Sequence, residues 1–501
     1  MSDLVSIAGA AAPSTPANGL RVLFVNRLLT GECIGRVPLG IMYLSSALKQ
    51  RGHAVDIADA NDHHALGHKV REFQPDAVLY SVRTGYHKGY MKVNRQLKER
   101  FPHLISIFGG NHPTFYPQMI LNEQAIDAVC IGEGEAAIVE FMDRLGRRGN
   151  YEETPNFWVR RDDQIFKNKP GRLIEPMDAI PFPDRDLLNA FPMVRTFPVR
   201  NFITTRGCPY DCTYCFNYAY YNNIYKGLGK RVRRRTVENV MQEIEAEYRA
   251  HPFQAAQFED DIFVYDTHWI REFGQQFSKR IGKPFTCNVR VELMDEERSR
   301  LLKEAGCVSV WLGVEAGDET IRKDLLGRSN NDNVTFRGIR NLQKQGIHVS
   351  TENILGLPKT NVAHDFKTLD LNLQLRPSFA NPSVFQPYPQ TPLGDTAREA
   401  GVFSGNYDDI PDFYEGSCLA VKHLQEIVNL QYLFSLTVEF PWLRRFVPTL
   451  VKLPFGELYK RLMLLYKGYV LTHRIVPMKM SFKEMAHVAR RAFGVEHVVE
   501  F

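Results

Sequence analysis

The sequence predicts an α/β protein in three parts: a doubly wound parallel sheet, an incomplete parallel barrel and a helical C-terminal region. Three observations carry this reading. Short apolar runs alternate with helix-patterned segments between Arg21 and Leu145. A second alternation of six strand-helix units starts near residue 196 and ends near 400. Beyond that the chain is aromatic and basic at helical spacing, as in LYKRLMLLYKGYVLTHRI. The expected boundaries are a disordered tail over 1–19, a first domain over 20–150, a linker over 151–195, a barrel over 196–400 and a helical domain over 401–501.

In the first domain, strand RVLFVN is followed by a helix from Pro38 to Arg51. Then come strand AVDIA, a helix ending near Phe73, strand DAVLYS and a helix reaching Phe101. Strand LISIF, a short helix after Pro117, strand DAVCI and a helix from Glu135 to Leu145 complete it. Sheets of this kind bind ligands at the carboxyl ends of their strands. Those ends carry Ser81 with Thr84, then Gly109, Gly110 and His112, then Gly132, Glu133 and Gly134. Glycine there lets backbone approach a bulky ligand, or it serves only to turn the chain. No GxGxxG follows the first strand, which disfavours a dinucleotide site.

Residues 151–195, with Pro176, Pro181 and Pro183 between weakly periodic segments, read as the linker. The barrel strands are expected at PVRNFITT and near 255–259, 284–289, 307–312, 347–353 and 379–386. The clearest helix between them starts at Thr236 as N-cap, with Glu238 in its first turn and Val237, Val240, Met241, Ile244 and Tyr248 on one face. A parallel barrel places its active site at the carboxyl ends of its strands. The C-terminal segment reads as a lid over an apolar substrate, an amphipathic surface helix or a packed helical domain.

Composition narrows the class. Hydrophobic residues at 44% and charged residues at 24% are ordinary for a globular protein, and a formal charge of +5 on 501 residues does not argue for a nucleic-acid partner. The basic run Lys230–Arg235 reads as a solvated approach to a helix. No apolar run reaches the roughly 18 residues of a membrane span. The Ala-, Pro- and Ser-rich start lacks the pattern of a signal peptide, so a reducing, cytoplasmic location is expected, where clustered cysteines more often bind metal than form disulfides.

Of the eight cysteines, only Cys208, Cys212 and Cys215 cluster, in RGCPYDCTYCFN directly after the first barrel strand. A cubane iron–sulfur cluster takes four ligands, so three cysteines leave one iron open. A structural zinc site is the alternative. It needs a fourth ligand, and His251 and Cys287 are distant in sequence. The spacing C-x3-C-x2-C closed by aromatic Phe216 resembles the signature of the radical S-adenosylmethionine (SAM) superfamily, whose members chelate the open iron with SAM. That resemblance implies a TIM-like (β/α)6 radical SAM barrel, with SAM contacted from the strand ends. It points to Phe216 after the cysteines, Glu259 and Asp260 after strand two, Asn288 and Arg290 after strand three, Glu315 after strand four and Gly356 in ILGLP after strand five. This chain departs from the family's GLPGET at Lys359 and Thr360, and from its PGTPL at Gln390 in PYPQTPL.

PLGIMYLSSALKQRGH, GGNHPT and IGEGE together resemble the Rossmann-like cobalamin-binding domain that precedes the barrel in one large radical SAM group. The resemblance spans residues 20 to about 400. It implies cobalamin contacts at Ser81, Thr84, Gly109, Gly110, His112, Gly132, Glu133 and Gly134. Asp62, His64 and Gly67 satisfy D-x-H-x-x-G, which supplies a cobalt ligand in other cobalamin domains, but here the motif follows the second strand rather than the first and reads as a chance match.

The family chemistry thereby implied is reductive cleavage of SAM to a 5'-deoxyadenosyl radical, hydrogen abstraction from substrate, and capture of a methyl group from methylcobalamin. An electron donor such as flavodoxin or ferredoxin is implied as partner. The leading expectation is C-methylation of an unactivated carbon in a small or lipid-like metabolite. The aromatic stretch Tyr218–Tyr225 and the aromatic C-terminal segment tilt it towards an apolar substrate. The alternatives are an oxidoreductase, cyclase or rearrangement enzyme without net methyl transfer, of the kind represented by the anaerobic magnesium-protoporphyrin ester cyclases, and a non-catalytic cobalamin or iron–sulfur sensor. A methylthiotransferase is disfavoured because only Cys33 and Cys130 occur in the first domain.

Overall fold

The computed structural model describes residues 19–27, 37–411, 416–476 and 478–479. The expected tail, apart from Gly19, and Cys33 lie outside them. The described chain forms two compact units: residues up to Thr196 with Ala219–Arg233, and Phe197–Tyr218 with the residues from Arg234 onward.

In the first unit, β1 (Arg21–Asn26), β2 (Ala54–Asp59), β3 (Ala77–Ser81), β4 (Ile105–Gly109) and β5 (Ala128–Cys130) pair in parallel in the order β2-β1-β3-β4-β5. Helices α1 (Leu39–Gln50), α2 (His63–Phe73), α3 (His87–Arg100), α4 (Asn111–Phe115), α5 (Met119–Asn122) and α6 (Glu135–Gly146) connect them. Strand alternation sends Val22 and Phe24 to a core with Ile41, Leu48 and Phe141, while Leu23 and Val25 meet Leu66, Val70, Tyr90 and Leu97 on the opposite face. Burial on both faces is why these strands read as continuous apolar runs. The sequence order reverses between β1 and β3, which opens the crevice at their carboxyl ends.

The expected linker contributes more than a connection. β6 (Phe157–Arg161) and β7 (Gln164–Lys167) form a hairpin that extends the sheet antiparallel from β5, with Phe157 and Val159 buried in the core that contains Phe141. Short helices α7 (Asp186–Asn189) and α8 (Pro192–Thr196) follow, and Leu187 and Leu188 pack on the same core.

The second unit contains a parallel sheet in the order β15-β14-β13-β12-β11-β8. Its strands are β8 (Val199–Phe202), β11 (Ala255–Phe258), β12 (Phe285–Val289), β13 (Cys307–Glu315), β14 (His348–Leu355) and β15 (Phe379–Val384), with short strands β9 (Thr205–Arg206) and β10 (Arg233–Arg234) between the first two. The six strands fall where the sequence places them, and PVRNFITT breaks after Phe202. The helices are α9 (Phe216–Ala219), α10 (Val237–Ala250), α11 (Thr267–Arg280), α12 (Glu296–Glu304), α13 (Asp332–Lys344), α14 (Val362–Leu375) and α15 (Pro392–Glu399). Thr236 caps α10, accepting from the Asn239 N–H at 3.3 Å.

The helix-facing side of this sheet is a dense aromatic core. Phe273 lies 5.0 Å from Trp269, 5.1 Å from Phe277 and 5.3 Å from Phe258, ring centre to ring centre. The inner side differs at its two ends. At the amino end Val199, Ala255 and Phe379 are closed off by Val470, Ile475 and Val476 from the end of the described chain. Towards the carboxyl end the inward positions Gln257, Glu259, Asn288, Glu352, Asn381 and Ser383 are only partly buried and polar.

The C-terminal region is helical: α16 (Leu424–Glu439), α17 (Val447–Leu450) and α18 (Gly456–Val470). Ile427, Leu430 and Phe434 of α16 join Leu355, Val384 and Leu393 in one core. The aromatic stretch after the cysteines is likewise used for packing: Tyr221 and Tyr225 form a small cluster with Leu173 in the first unit. Replacing Phe273 with Ala is expected to destabilise the second unit by about 3–5 kcal/mol through the cavity it leaves. Urea unfolding would check this, and a loss below about 1 kcal/mol would contradict the packing described.

Candidate functional site

The three cysteines lie on the loop between β9 and α9, at the carboxyl end of the barrel strands. Cys208 and Cys212 are buried and Cys215 is partly so. Three thiols are one short of the four ligands of a structural zinc site, whereas a cubane puts each sulfur on a different iron and leaves the fourth iron open. The donor set therefore fits a cluster. Burial pushes the Cys208 thiol up to about 11 and the Cys215 thiol up to about 12, so metal capture by these sulfurs releases protons.

A buried polar network fixes this loop. The Arg290 guanidinium donates to Cys212 Sγ at 3.2 Å and to Glu292 at 2.5 Å, and it stacks 3.8 Å over the Tyr210 ring. Arg328 donates to Glu315 Oε1 at 2.8 Å and lies 3.7 Å from Glu292. Tyr214, between two of the cysteines, donates to the same Glu315 oxygen at 2.8 Å. Burial opposes the charge on Glu292, but Arg290 and Arg328 together hold its carboxyl below the usual range. Burial, then the Glu315 charge, raises the Tyr214 phenol, which keeps the proton it donates.

Thr213 Oγ1 donates to the Leu325 carbonyl at 2.6 Å, and the Thr213 N–H to that of Leu326 at 3.2 Å. Glu315 takes a left-handed φ of +68°, unusual for a residue with a side chain. Its carboxylate folds back over Gly313, where a Cβ would stand 1.9 Å from Glu315 Oε1. A side chain there would displace the Glu315 carboxylate from Arg328 and Tyr214. Sequence reading found Glu315 and Arg290 but missed Tyr214, Glu292 and Arg328. Tyr214 was available as the residue inside C-x2-C, but nothing local marks Arg328.

The remaining barrel positions divide. Glu259 is on the inner side, accepting from Asn201 at 2.7 Å and Gln257 at 2.8 Å. Asn288 donates to the Asp260 carbonyl at 2.9 Å. Asp260 itself is fully buried, and its carboxylate accepts from the Thr204 N–H at 3.0 Å and hydroxyl at 2.7 Å. It positions the chain entering the cysteine loop and is enclosed away from any ligand. Phe216 packs against Tyr388, the ring centres 4.3 Å apart and the planes tilted by 34°. Gly356, at φ +69°, donates its N–H to Asp365 at 3.0 Å.

In the first unit the predicted residues meet at the ends of β3, β4 and β5. The Val82 N–H donates to the Gly109 carbonyl and the His112 N–H to that of Val82, tying the two loops together. Gly110, at φ +95°, has no room for a Cβ, which would lie 2.8 Å from Val82 backbone. Ser81, Gly109 and Gly134 are partly exposed there. Thr84 and His112 are not. His112 is fully buried, stacked 4.1 Å from His87 and 3.3 Å from Thr84 Oγ1, and burial followed by the neighbouring His87 keeps it neutral.

Glu133 accepts two hydrogen bonds from Arg233, at 2.7 and 2.9 Å, and its N–H donates to Tyr225 Oη at 2.9 Å. Gly132 lies against that same hydroxyl, 2.0 Å from where a Cβ would stand. This pair therefore anchors the 219–233 segment. His64 is exposed at the start of α2, after the edge strand β2 and away from the β3–β5 ends.

The candidate site thus has two parts, a parallel sheet with a glycine-lined switch point and a barrel with three clustered thiols at its mouth. Residues 36–142 match the B12 binding domain and residues 202–371 the radical SAM superfamily. The chain belongs to the radical SAM superfamily, in the group that carries a B12-binding domain, and is a radical SAM enzyme.

An uncharacterized methyltransferase of Pyrococcus horikoshii is 26% identical, the match covering 72% of this chain and 78% of the relative. The anaerobic magnesium-protoporphyrin IX monomethyl ester cyclase of Rubrivivax gelatinosus is also 26% identical, over 73% of this chain and 66% of its own length. The fold is similar to that of OxsB, a cobalamin-dependent SAM radical enzyme solved with aqua-cobalamin and SAM, at a TM-score of 0.67 and 16% identity over 96% of this chain and 76% of that one. The domains imply a [4Fe-4S] cluster, SAM and cobalamin as cofactors.

Two outcomes test this geometry. Replacing Cys212 with Ala is expected to abolish iron retention while leaving the first unit folded and its corrin binding intact; retained iron at wild-type stoichiometry would contradict the ligand assignment. Asp365, raised to about 7 by burial, is ionised more readily in the unfolded chain. Its contribution is therefore fully present below about pH 4 and is lost as pH rises through about 7. Asp365→Asn, which keeps an acceptor for Gly356, should gain on the order of 2–4 kcal/mol over the parent at pH 8 and nothing near pH 4. A pH-independent difference in urea unfolding would contradict it.

Proposed function

We propose that this protein is a cobalamin-dependent radical SAM C-methyltransferase acting on an unactivated carbon of a small metabolite. The observation that carries it is the coexistence of the three-thiol loop, held by the Arg290–Glu292–Arg328–Glu315–Tyr214 network, with a glycine-lined β3–β5 crevice in one chain.

Cys208, Cys212 and Cys215 would hold the cluster. Glu259, Asn288, Arg290 and Glu315, with Phe216 and Gly356 beside them, would surround SAM. Ser81, Gly109, Gly110 and Gly134 would face the corrin, with Thr84, His112, Gly132 and Glu133 shaping the loops behind it. When bound, these groups supply a SAM-derived radical for hydrogen abstraction and a methyl group for transfer to the substrate carbon. The chain's own residues orient and shield: Arg290 steadies the Cys212 sulfur, Glu315 and Tyr214 set the loop, and the closed amino end of the barrel excludes water.

An electron donor such as flavodoxin or ferredoxin would supply the reducing electron. The lipid-like class of substrate has less support, because Tyr221, Tyr225 and much of the C-terminal region are used in packing.

A second reading, ring formation without methyl transfer, is favoured by the similarity to the cyclase of Rubrivivax gelatinosus. Product analysis separates them. With reductant, cobalamin, methyl-labelled SAM and a small-molecule extract, the methyltransferase reading expects 5'-deoxyadenosine and S-adenosylhomocysteine in comparable amounts, with label entering a metabolite. Deoxyadenosine alone, with an unlabelled product, would put the cyclase reading in its place.

A further inference from the structure

Of the ten large apolar side chains that stand exposed among the described residues, eight fall between Phe440 and Tyr469. Four of them, Leu458, Leu462, Leu465 and Tyr469, recur at spacings of four, three and four along α18. At about 100° per residue they occupy an arc of about 60° on one side of the helix. The side that packs inward is different: Tyr459 and Met463 join the core shared with α16, and Val470 the one at the amino end of the barrel. Leu465 is 59% exposed, where a surface helix ordinarily carries charge. The turn before α17 adds Trp442, 61% exposed, and Phe446, and the residue capping α18 adds Phe455 at 50%.

The charge of this segment is predominantly of one sign. Residues 440–476 contain Arg444, Arg445, Lys452, Lys460, Arg461, Lys467 and Arg474 against one carboxylate, Glu457. Asp370 and Glu439 pair with Arg444 and Arg474, and even with both counted the cations exceed the carboxylates seven to three. An apolar stripe in a cationic field is unsuited to water and to most acidic globular surfaces, which offer no apolar depth. It suits the boundary layer of an anionic bilayer, where Leu and aromatic rings enter below the headgroups while Arg and Lys meet the phosphates. No described helix is long and apolar enough to cross a membrane, so the contact would be one of lying on the surface.

We propose that α18, with the Trp442–Phe446 turn, is a docking surface for anionic lipid membranes. This inference stands on the C-terminal segment alone and does not depend on which reaction the enzyme performs.

The test uses the full chain and two vesicle populations, phosphatidylcholine alone and phosphatidylcholine with phosphatidylglycerol, in a sedimentation assay with Trp442 fluorescence read in parallel. Binding to the anionic vesicles is expected to exceed that to the neutral ones by at least about tenfold at low salt, with a blue shift that Trp442→Phe removes. Leu462→Asp with Leu465→Asp should weaken binding about tenfold or more, and so should Arg445→Glu with Lys452→Glu, with iron and corrin content unchanged in both. Equal or absent binding to the two vesicle types would overturn the proposal. So would analytical ultracentrifugation showing that the stripe is buried in a dimer which Leu462→Asp with Leu465→Asp dissolves.

Discussion

Arg328 faces two carboxylates at once, Glu315 at 2.8 Å and Glu292 at 3.7 Å, and the shape of the cysteine loop depends on that contact. Glu315 is tied to Tyr214 within the loop, and Glu292 to Arg290, whose guanidinium reaches the Cys212 sulfur. One buried cation thus links strand ends β12 and β13 to two points of the same loop. Buried ion pairs add little net stability, because desolvation consumes most of the attraction, yet removing one partner costs about 3–5 kcal/mol. Such a network is better understood as fixing position than as adding strength. The left-handed backbone at Glu315, a strain of about 1–3 kcal/mol, persists because these contacts over-determine it.

The first unit solves a related problem with backbone. A large flat ligand at the end of a parallel sheet needs strand ends without side chains in the way, and Gly109, Gly110 and Gly134 would provide them. Two of the residues expected to touch ligand instead shape these loops. His112 is sealed against His87, and Glu133 is committed to Arg233 and Tyr225. Both tie strand-end loops to neighbouring segments through polar residues turned inward.

Much of this was legible beforehand because it rests on local signals. Strands buried on both faces give uninterrupted apolar runs, the Thr236 cap announces α10, and three cysteines in eight residues announce a cluster. What stayed hidden depends on long-range pairing. Arg328 meets Tyr214 across more than a hundred residues, and no spacing rule foretells that. Asp260 was placed among ligand contacts because strand ends are usually open, but its neighbour Thr204 claims the carboxylate. The β6–β7 hairpin was missed because its weak periodicity and the prolines that follow it, Pro176, Pro181 and Pro183, suggested a connector, while an edge hairpin needs only alternate buried residues such as Phe157 and Val159.

The two-cofactor enzyme requires that one chain bind an open-iron cluster at Cys208, Cys212 and Cys215 together with a corrin. Anaerobic reconstitution with iron, sulfide and cobalamin, followed by desalting and quantification, tests it most directly. The account predicts about four irons, matching sulfide and retained corrin per chain. Zinc or sub-stoichiometric iron at the thiols would contradict the cluster, and iron without corrin would contradict the two-cofactor enzyme.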